Sequence, residues 1–335
     1  MPLYRPVKIG SLELPGNLFL APVAGYTDRA FRTICAELGA DFTYTELASA
    51  EALTRNSSRT MMMLKRGESG KPYAVQLFGA DPDAVYRAVL LLAALKPEAV
   101  DINSGCPALK VVKTGAGAAL MKDPALLGRV VEAAANASVK ALGGVPVTVK
   151  LRSGWDWEHI NYRDCARAAV EAGAALVCLH PRTRAQGYGG RSDWSHIADL
   201  AAGLSVPVAG SGDLYSPEDA GRMLRETGCA AVMFARGAMG NPFIFALTKE
   251  YLDKGEWTPP DYAVRFAAAF RQLELLASDI GEKAACLEMR KQFCAYTKGI
   301  GCRAGLTGGA RLRDRLVHAE TISDYRVILG EQRGE

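Results

Sequence analysis

Residues 99–107 read AVDINSGCP, and this stretch gives the first indication of both the fold and the chemistry. Its apolar start is typical of a buried strand, and the asparagine, glycine and proline that follow favour a turn. Gly105 can adopt backbone conformations closed to other residues, and Pro107 fixes φ and lacks a donor N–H. The pattern places Cys106 at the mouth of a strand, where α/β enzymes carry reactive groups. A small buried thiol that only fills a loop is the alternative interpretation.

Working outward from this stretch, short strand-like segments alternate with longer helical ones. The predicted strands cover residues 18–21, 42–47, 73–78, 99–102, 146–151, 175–179, 206–209 and 230–234. The predicted helices between them cover residues 28–38, 81–96, 123–141, 162–172, 194–204, a segment that opens at residue 216, and residues 242–252. Such alternation predicts a parallel sheet with right-handed crossovers, and eight units favour a closed (β/α)8 TIM barrel over an open sheet.

The alternation stops at residues 254–260, KGEWTPP, whose glycine and two prolines are typical of a linker. Three helical segments follow, at residues 262–278, 282–297 and 310–318, and no strand pattern returns. We therefore predict an α/β protein with two domains: a barrel of residues 1–253 and an all-helical domain of residues 254–335.

The composition is that of an ordinary soluble protein: among 335 residues 49% are hydrophobic, 23% are charged, and the formal net charge is +4. A mildly basic chain is compatible with a polyanionic partner. The eight cysteines show neither CxxC pairs nor zinc-ligand spacing, so we expect no metal and reduced thiols in a cytoplasmic protein. We expect neither a signal peptide nor a membrane segment, since no apolar run approaches ~20 residues. The oligomeric state cannot be read, and a monomer is the default expectation.

Polar and glycine-rich segments follow the predicted strands at their C-terminal ends, which converge in a barrel of this kind. Along the chain they supply Ala21, Pro22, Val23, Gln76, Asn103, Cys106, Lys150, His180, Arg182, Gly210, Ser211, Gly212, Asp213, Ala235, Arg236 and Gly237. Each has an ordinary structural explanation by itself. Lys150 could be a solvated lysine, and His180 a hydrogen-bonded core histidine. Their convergence on one rim favours a single site.

The chemistry of this set fits a flat, phosphorylated cofactor such as FMN. The glycine-rich segment after the seventh strand and Arg236 after the eighth lie where such barrels commonly bind phosphate, through backbone N–H groups and charge-assisted hydrogen bonds. Lys150 and His180 can donate to the polar edge of a ring, and Gln76 offers both a donor and an acceptor. No set of metal ligands competes with this interpretation.

Six segments carry a resemblance to the tRNA-dihydrouridine synthase family of the FMN-dependent, bacterial type. They are residues 21–28, 76–79, 101–107, 149–152, 180–184, and 235–237 with 240–242. The segment from Met289 to Phe293, with Tyr296 and Gly299, resembles the helical domain of the family. Departures also occur, among them Ser211 where the family usually has Asn, and Gln292 where His is common. These departures affect the choice of target nucleotide more than the chemistry.

The resemblance implies reduction of the C5–C6 double bond of uridine in tRNA, with NADPH reducing a bound FMN. It implies hydride transfer from flavin N5 to C6 and protonation of C5 by Cys106 as general acid. The implied cofactor-binding residues are Ala21, Pro22, Val23, Gln76, Lys150, His180, Gly210, Ser211, Gly212, Asp213, Ala235, Arg236 and Gly237. Asn103 and Arg182 are implied to hold the base.

RNA binding needs a basic surface beside the barrel mouth, because a uridine in folded RNA must be flipped out before it can meet a flavin. The helical domain offers Arg290, Lys291, Lys298, Arg303, Arg311, Arg313 and Arg315, and Lys110 and Lys113 flank the Cys106 segment. We predict that Arg290, Lys291, Arg311 and Arg313 contact the RNA. A solvated helix face is the alternative.

Two other function classes remain open from the sequence. A small-molecule flavin reductase, of the dihydroorotate dehydrogenase or ene-reductase type, would not need the basic helical tail. A non-catalytic RNA-binding barrel would not need Cys106. The sequence also does not decide between tRNA and ribosomal RNA, between NADPH and NADH, or which uridine is reduced.

Overall fold

The computed structural model describes residues 2–55, 57–298 and 309–330. The chain opens with an antiparallel hairpin of β1 (Val7–Ile9) and β2 (Leu12–Leu14). The apolar side chains Val7, Ile9 and Leu14 pack with the inward-facing residues of the barrel strands, such as Phe19 and Phe42. The hairpin therefore covers the N-terminal end of the barrel, the end opposite the predicted site.

Eight parallel strands form a closed barrel, which confirms the predicted fold class. They run around it in the order β3, β4, β6, β7, β8, β9, β10 and β11, and β11 pairs with β3 to close the ring. The bounds are β3 (Leu18–Leu20), β4 (Phe42–Tyr44), β6 (Tyr73–Phe78), β7 (Ala99–Ser104), β8 (Val147–Gly154), β9 (Ala174–Thr183), β10 (Val208–Ser211) and β11 (Ala231–Phe234). A further short strand, β5 (Ala48–Ser49), pairs with β6.

The helices of the first part of the chain pack around the barrel. They are α1 (Arg29–Glu37), α2 (Ala50–Thr54), α3 (Ser58–Met63), α4 (Pro82–Leu91), α5 (Leu109–Val112), α6 (Pro124–Ala141), α7 (Tyr162–Glu171), α8 (Ser195–Gly203), α9 (Pro217–Thr227) and α10 (Ile244–Lys254), with 3-10 helices at Leu92–Ala94 and Gly117–Lys122. Side-chain caps begin several of them. Asp28 accepts from the Phe31 N–H, and Ser216 forms a capping box with Asp219.

Four strands, β7, β8, β9 and β10, run past the C-terminal ends that the sequence predicts, and this bears on the site. The residue pairs Asn103 with Lys150 and Ser104 with Leu151 continue the ladder between β7 and β8. Asn103 is therefore a strand residue and not part of the turn, because its neighbouring strand also continues. The short helices α2, α3 and α5, the hairpin and a last helix, α14 (Ile322–Gly330), were not predicted.

The C-terminal part of the described chain is helical, as predicted, with α11 (Tyr262–Ile280), α12 (Glu282–Tyr296), α13 (Gly309–His318) and α14. Its apolar core also includes Ala30 and Ile34 of α1, together with Leu247 of α10 and Phe243, which directly precedes α10. Bidentate ion pairs join the two parts of the chain, from Arg29 to Asp279 and from Arg271 to Glu37. None of the helices within the described residues combines the length and apolar character that a membrane crossing requires.

A close backbone approach fixes this docking. Gly240, in the segment after β11, has φ +65° and lies against α12. A Cβ at this position would overlap Ala295 and lie 2.6 Å from the Tyr296 nitrogen. A residue without a side chain is therefore required by both the backbone angle and the packing.

We predict that Gly240→Ala lowers the free energy of unfolding by about 2–5 kcal/mol, since strain at positive φ and overpacking add. Gly143→Ala is the matched control, because Gly143 has φ +71° but nothing within 4 Å of an added Cβ. Strain alone should cost the control about 1–2 kcal/mol. Urea denaturation measures both, and equal losses would contradict the packing argument.

Candidate active site

A cavity of about 680 Å³ opens at the C-terminal ends of the barrel strands. A site at this end is what the barrel fold predicts. Most of the residues named from the sequence line it: Ala21, Pro22, Val23, Asn103, Cys106, Lys150, His180, Ser211, Gly212, Asp213, Ala235 and Arg236. The structure thus brings together groups supplied by six different strands and the segments after them.

Four of the residues predicted at the barrel rim do not line this cavity. Gln76 is fully buried in the barrel interior beneath it. Gly210 lies on the outward face of β10, where a Cβ would meet Met223 Sδ at 2.6 Å, and a Cβ at Gly237 would overlap the Leu214 carbonyl. Arg182 is buried behind the cavity wall and is 2% exposed. Strand alternation explains the position of Gly210, because its neighbours Ala209 and Ser211 face inward.

Cys106 is partly exposed in the cavity, on the segment that follows β7. Its N–H donates to Asn103 Oδ1 at 2.9 Å, and the Gly105 N–H donates to the same oxygen at 3.2 Å. On its other side the Cys106 carbonyl accepts from the Ala118 N–H at 3.1 Å. Gly117 has φ +62°, and a Cβ there would lie 2.8 Å from that carbonyl oxygen. The backbone that carries the thiol is therefore held from both sides.

Arg152 connects the Cys106 segment to the end of β9 and to the loop that follows it. Its Nε donates to the Gly105 carbonyl at 2.8 Å, and its Nη1 donates to the carbonyls of Thr183 and Gly187, each at 2.9 Å. Burial lowers the pKa of Arg152 to about 10. No role was predicted for Arg152 from the sequence. Its position two residues after Lys150 on β8, which puts both side chains on the inward face, is the signal that could have found it.

A polar layer lies in the barrel interior under the cavity. The Asp101 carboxylate accepts hydrogen bonds from Gln76 Nε2 at 2.7 Å and from the Thr148 hydroxyl. Gln76 Oε1 in turn accepts from Asn103 Nδ2 at 2.9 Å. Burial raises the pKa of Asp101 to about 7, while its hydrogen bonds with Thr148 and Gln76 act in the opposite direction. Asp101 was not predicted from the sequence to be functional.

Asp213 pairs with two cations at the cavity wall. Its carboxylate accepts from Arg182 Nη2 at 2.8 Å, from Arg236 Nη2 at 3.3 Å and from the Ser192 N–H at 2.8 Å. Although burial acts against its ionisation, the hydrogen bonds from Ser192 and Arg182 lower the pKa of Asp213. Asp213 and Arg182, both named as ligand contacts from the sequence, are thus paired with each other.

His180 is a neutral donor in this setting. Burial, together with the cations Lys150, Arg152, Arg182 and Arg236, lowers its pKa well below the usual 6.5. Its Nε2 lies 3.2 Å from Arg182 Nη1. A guanidinium can only donate, so Nε2 accepts and the ring proton resides on Nδ1.

Aromatic side chains that the sequence gave no reason to choose surround the cavity mouth. Tyr188 and Tyr215 are 60% and 49% exposed. The Arg236 guanidinium lies 4.8 Å from the Tyr188 ring centre and 5.3 Å from that of Tyr215. Tyr26 lines the cavity from the segment between β3 and α1. All three belong to loops, where no periodicity marks a residue as functional.

The cations predicted to contact RNA occupy different environments. Arg290 donates to the Ala319 carbonyl at 3.3 and 3.2 Å, which ties α12 to the segment before α14. Lys291 pairs with Glu288 at 2.8 Å, and its Nζ lies 5.2 Å from the Tyr26 ring centre at the cavity mouth. Arg311 is exposed and Arg313 half-buried on α13. Arg303 and Gly299 lie outside the described residues.

Comparison with known proteins gives a consistent picture. A family profile described as "Dihydrouridine synthase (Dus)" matches residues 19–324. A protein named "Probable tRNA-dihydrouridine synthase" from Treponema pallidum is 48% identical over 332 residues, which is 98% of this chain and 96% of that protein. A protein of the same name from Aquifex aeolicus is 34% identical over 312 residues, which is 92% of this chain and 93% of that protein.

Solved structures of other proteins share the fold. An old yellow enzyme homologue from Zymomonas mobilis aligns with a TM-score of 0.57 at 12% identity, covering 79% of this chain and 96% of that chain. Histamine dehydrogenase from Rhizobium sp. 4-9 aligns with a TM-score of 0.56 at 15% identity, covering 82% of this chain and 51% of that chain. The full-length match to the family, carried on this barrel, shows that the chain belongs to the dihydrouridine synthase family of tRNA-modifying oxidoreductases.

Proposed function

We propose that this protein reduces the C5–C6 double bond of a uridine in tRNA, with FMN as bound cofactor and NADPH as reductant. The observation that carries the proposal is the shared cavity: the Cys106 thiol lies in the same space as Asn103, Lys150 and His180. A proton donor and polar groups for a base therefore converge beside a basic wall. The family membership and the names of the relatives support tRNA as the substrate. The free cysteines among the described residues fit a cytoplasmic enzyme.

The residues at the site fit a phosphorylated flavin. Gly212 has φ +113°, and a Cβ there would lie 2.5 Å from Ser192 Oγ and 2.7 Å from His180 Cδ2, so a bare backbone is required. Ser211, Gly212 and Arg236 would hold the phosphate with N–H and guanidinium donors. Lys150 and His180 would meet the polar edge of the ring, and Ala21, Pro22 and Val23 its apolar surface. When bound, FMN supplies hydride for C6 of the base.

Cys106 supplies the proton for C5. Its Sγ–H bond breaks as the new C–H bond forms, and the thiolate is reprotonated from solvent. The side-chain carbonyl of Asn103 and the guanidinium of Arg152 hydrogen-bond to the backbone of the Cys106 segment. The thiol therefore approaches the base from a fixed direction. A fixed acid is what general acid catalysis at carbon requires.

Replacing the thiol should separate the two half-reactions. We predict that Cys106→Ala still binds flavin and still oxidises NADPH, but forms dihydrouridine at least about 100-fold more slowly, which is the usual contribution of a general acid. Stopped-flow absorbance follows flavin reduction, and nucleoside mass spectrometry follows the product. Cys294→Ala, at another partly exposed cysteine on α12, is the control. An unchanged rate in Cys106→Ala would remove Cys106 from the mechanism.

Charge reversal on α13 should affect RNA alone. We predict that Arg311→Glu with Arg313→Glu weakens tRNA binding about tenfold and lowers its salt dependence, because phosphate contacts are lost. Oxidation of NADPH by the bound flavin should continue. Arg87→Glu with Arg129→Glu, on exposed positions of α4 and α6, changes the charge equally on the outer barrel wall. Equal weakening by both pairs would show a general charge effect and not a binding face.

His180 should remain unprotonated through neutral pH. Because burial and four neighbouring cations lower its pKa, we expect no titration of its ring between about pH 8 and about pH 6, where a free imidazole titrates. Nitrogen-15 NMR of the imidazole reports both the charge and the Nδ1–H tautomer, and His180→Gln identifies the signal. A titration centred near the ordinary value would contradict the electrostatic argument.

A further inference from the structure

Asp101 lies two residues before Asn103 on β7, and its side chain points into the barrel interior. The strand register pairs it with Gln76 of β6 on one side and with Thr148 of β8 on the other. Its side chain is fully buried and does not line the cavity. A buried carboxylate is costly to keep, so its presence in this layer calls for an explanation.

The hydrogen bonds from Asp101 to the Cys106 segment form one directed chain. Asp101 Oδ2 accepts from Gln76 Nε2 at 2.7 Å, so the NH₂ group of Gln76 is turned towards Asp101. The Gln76 carbonyl then faces Asn103 and accepts from its Nδ2 at 2.9 Å. The Asn103 carbonyl is in turn directed at the N–H groups of Gly105 and Cys106. Each amide orientation in this chain follows from the one before it.

This direction decides what Asn103 can offer to a ligand. Its carbonyl already accepts from two backbone N–H groups, and one of its two Nδ2 hydrogens is given to Gln76. What remains is one donor hydrogen. A donor at this position suits a carbonyl oxygen of uracil and is mismatched with the amino group of cytosine.

We propose that Asp101 is a positioning residue, which acts through Gln76 to fix the Asn103 amide, and thereby both the backbone of Cys106 and the donor offered to the base. The part that concerns the base rests on the proposed function. The part that concerns the Cys106 backbone does not, since it needs neither flavin nor RNA. The groups facing Asp101 are Thr148 and Lys150 of β8, Gln76 of β6, Tyr44 of β4 and Cys178 of β9.

Two variants break the chain at different links. Asp101→Leu removes the accepting end, and Gln76→Met removes the middle. In both we expect the N–H groups of Gly105 and Cys106 to exchange with solvent about tenfold faster, and kcat for dihydrouridine formation to fall about tenfold, because buried amides lose fixed partners. Hydrogen exchange measured by mass spectrometry or NMR follows the first effect, and it is independent of activity.

A double variant that exchanges the carboxylate and the amide between positions 101 and 76 should restore the direction of the hydrogen bonds. In Asp101→Asn with Gln76→Glu, the new carboxylate can accept from both asparagine side chains, so Asn103 keeps its orientation. We expect exchange and kcat within about threefold of wild type. Since Leu and Met resemble Asp and Gln in shape but form no such hydrogen bonds, loss in the single variants together with recovery here separates hydrogen bonding from space filling. Ser104→Ala is the control on the same strand, because Ser104 Oγ is buried and accepts or donates no hydrogen bond within the described chain.

The outcomes separate the claims. Exchange within about twofold of wild type in both Asp101→Leu and Gln76→Met would overturn the positioning role, as would a double variant no better than Asp101→Leu. If Asp101→Leu does not fold, Gln76→Met and the double variant give the same comparison. A wild-type protein that forms no dihydrouridine, but whose exchange responds as expected, would refute the proposed function and leave the role of Asp101 in place.

Discussion

The pairing of β11 with β3 closes the barrel, and the site depends on that closure. It joins Phe19 to Met233, residues far apart in the chain, and so completes a ring of parallel strands whose carboxyl ends face one way. Cys106 after β7 and Arg236 after β11 line the same cavity because of it. An open sheet would leave these two segments at separate positions along an edge. Alternation along each strand then decides which side chains enter the ring.

Much of this arrangement could be predicted from the sequence because it depends on local patterns. Strand and helix periodicity predicted the barrel. A residue such as Asp28 favours the start of a helix because its side chain can accept from a backbone N–H of the first turn. The second layer of the site could not be predicted in the same way. Gln76 was predicted to contact the flavin, but nothing in the sequence indicated that its amide lies between Asp101 and Asn103. That contact depends on the register between β6 and β7, which a single sequence does not reveal.

Several cations lie at the cavity wall, and two features of the structure limit the net positive charge there. Arg182 and Arg236 share the carboxylate of Asp213, which spreads one negative charge over two guanidinium groups. His180 avoids adding to the charge by staying neutral, because burial and its cationic neighbours lower its pKa. The remaining positive field favours a ligand that carries phosphate or gains negative charge on reduction. The same field suits an RNA strand whose backbone reaches the mouth.

The helical domain contacts the rim of the cavity. Lys291 of α12 lies over the Tyr26 ring, and Tyr26 lines the cavity. The segment that carries Tyr26 is held in turn by the hydrogen bond from the Gly25 N–H to Glu46 at 2.6 Å. The requirement for glycine at position 240 keeps α12 close to the barrel, so this contact cannot open without separating two packed backbones. The surface proposed to meet RNA phosphates and the cavity proposed to take one base are therefore parts of a single packed unit.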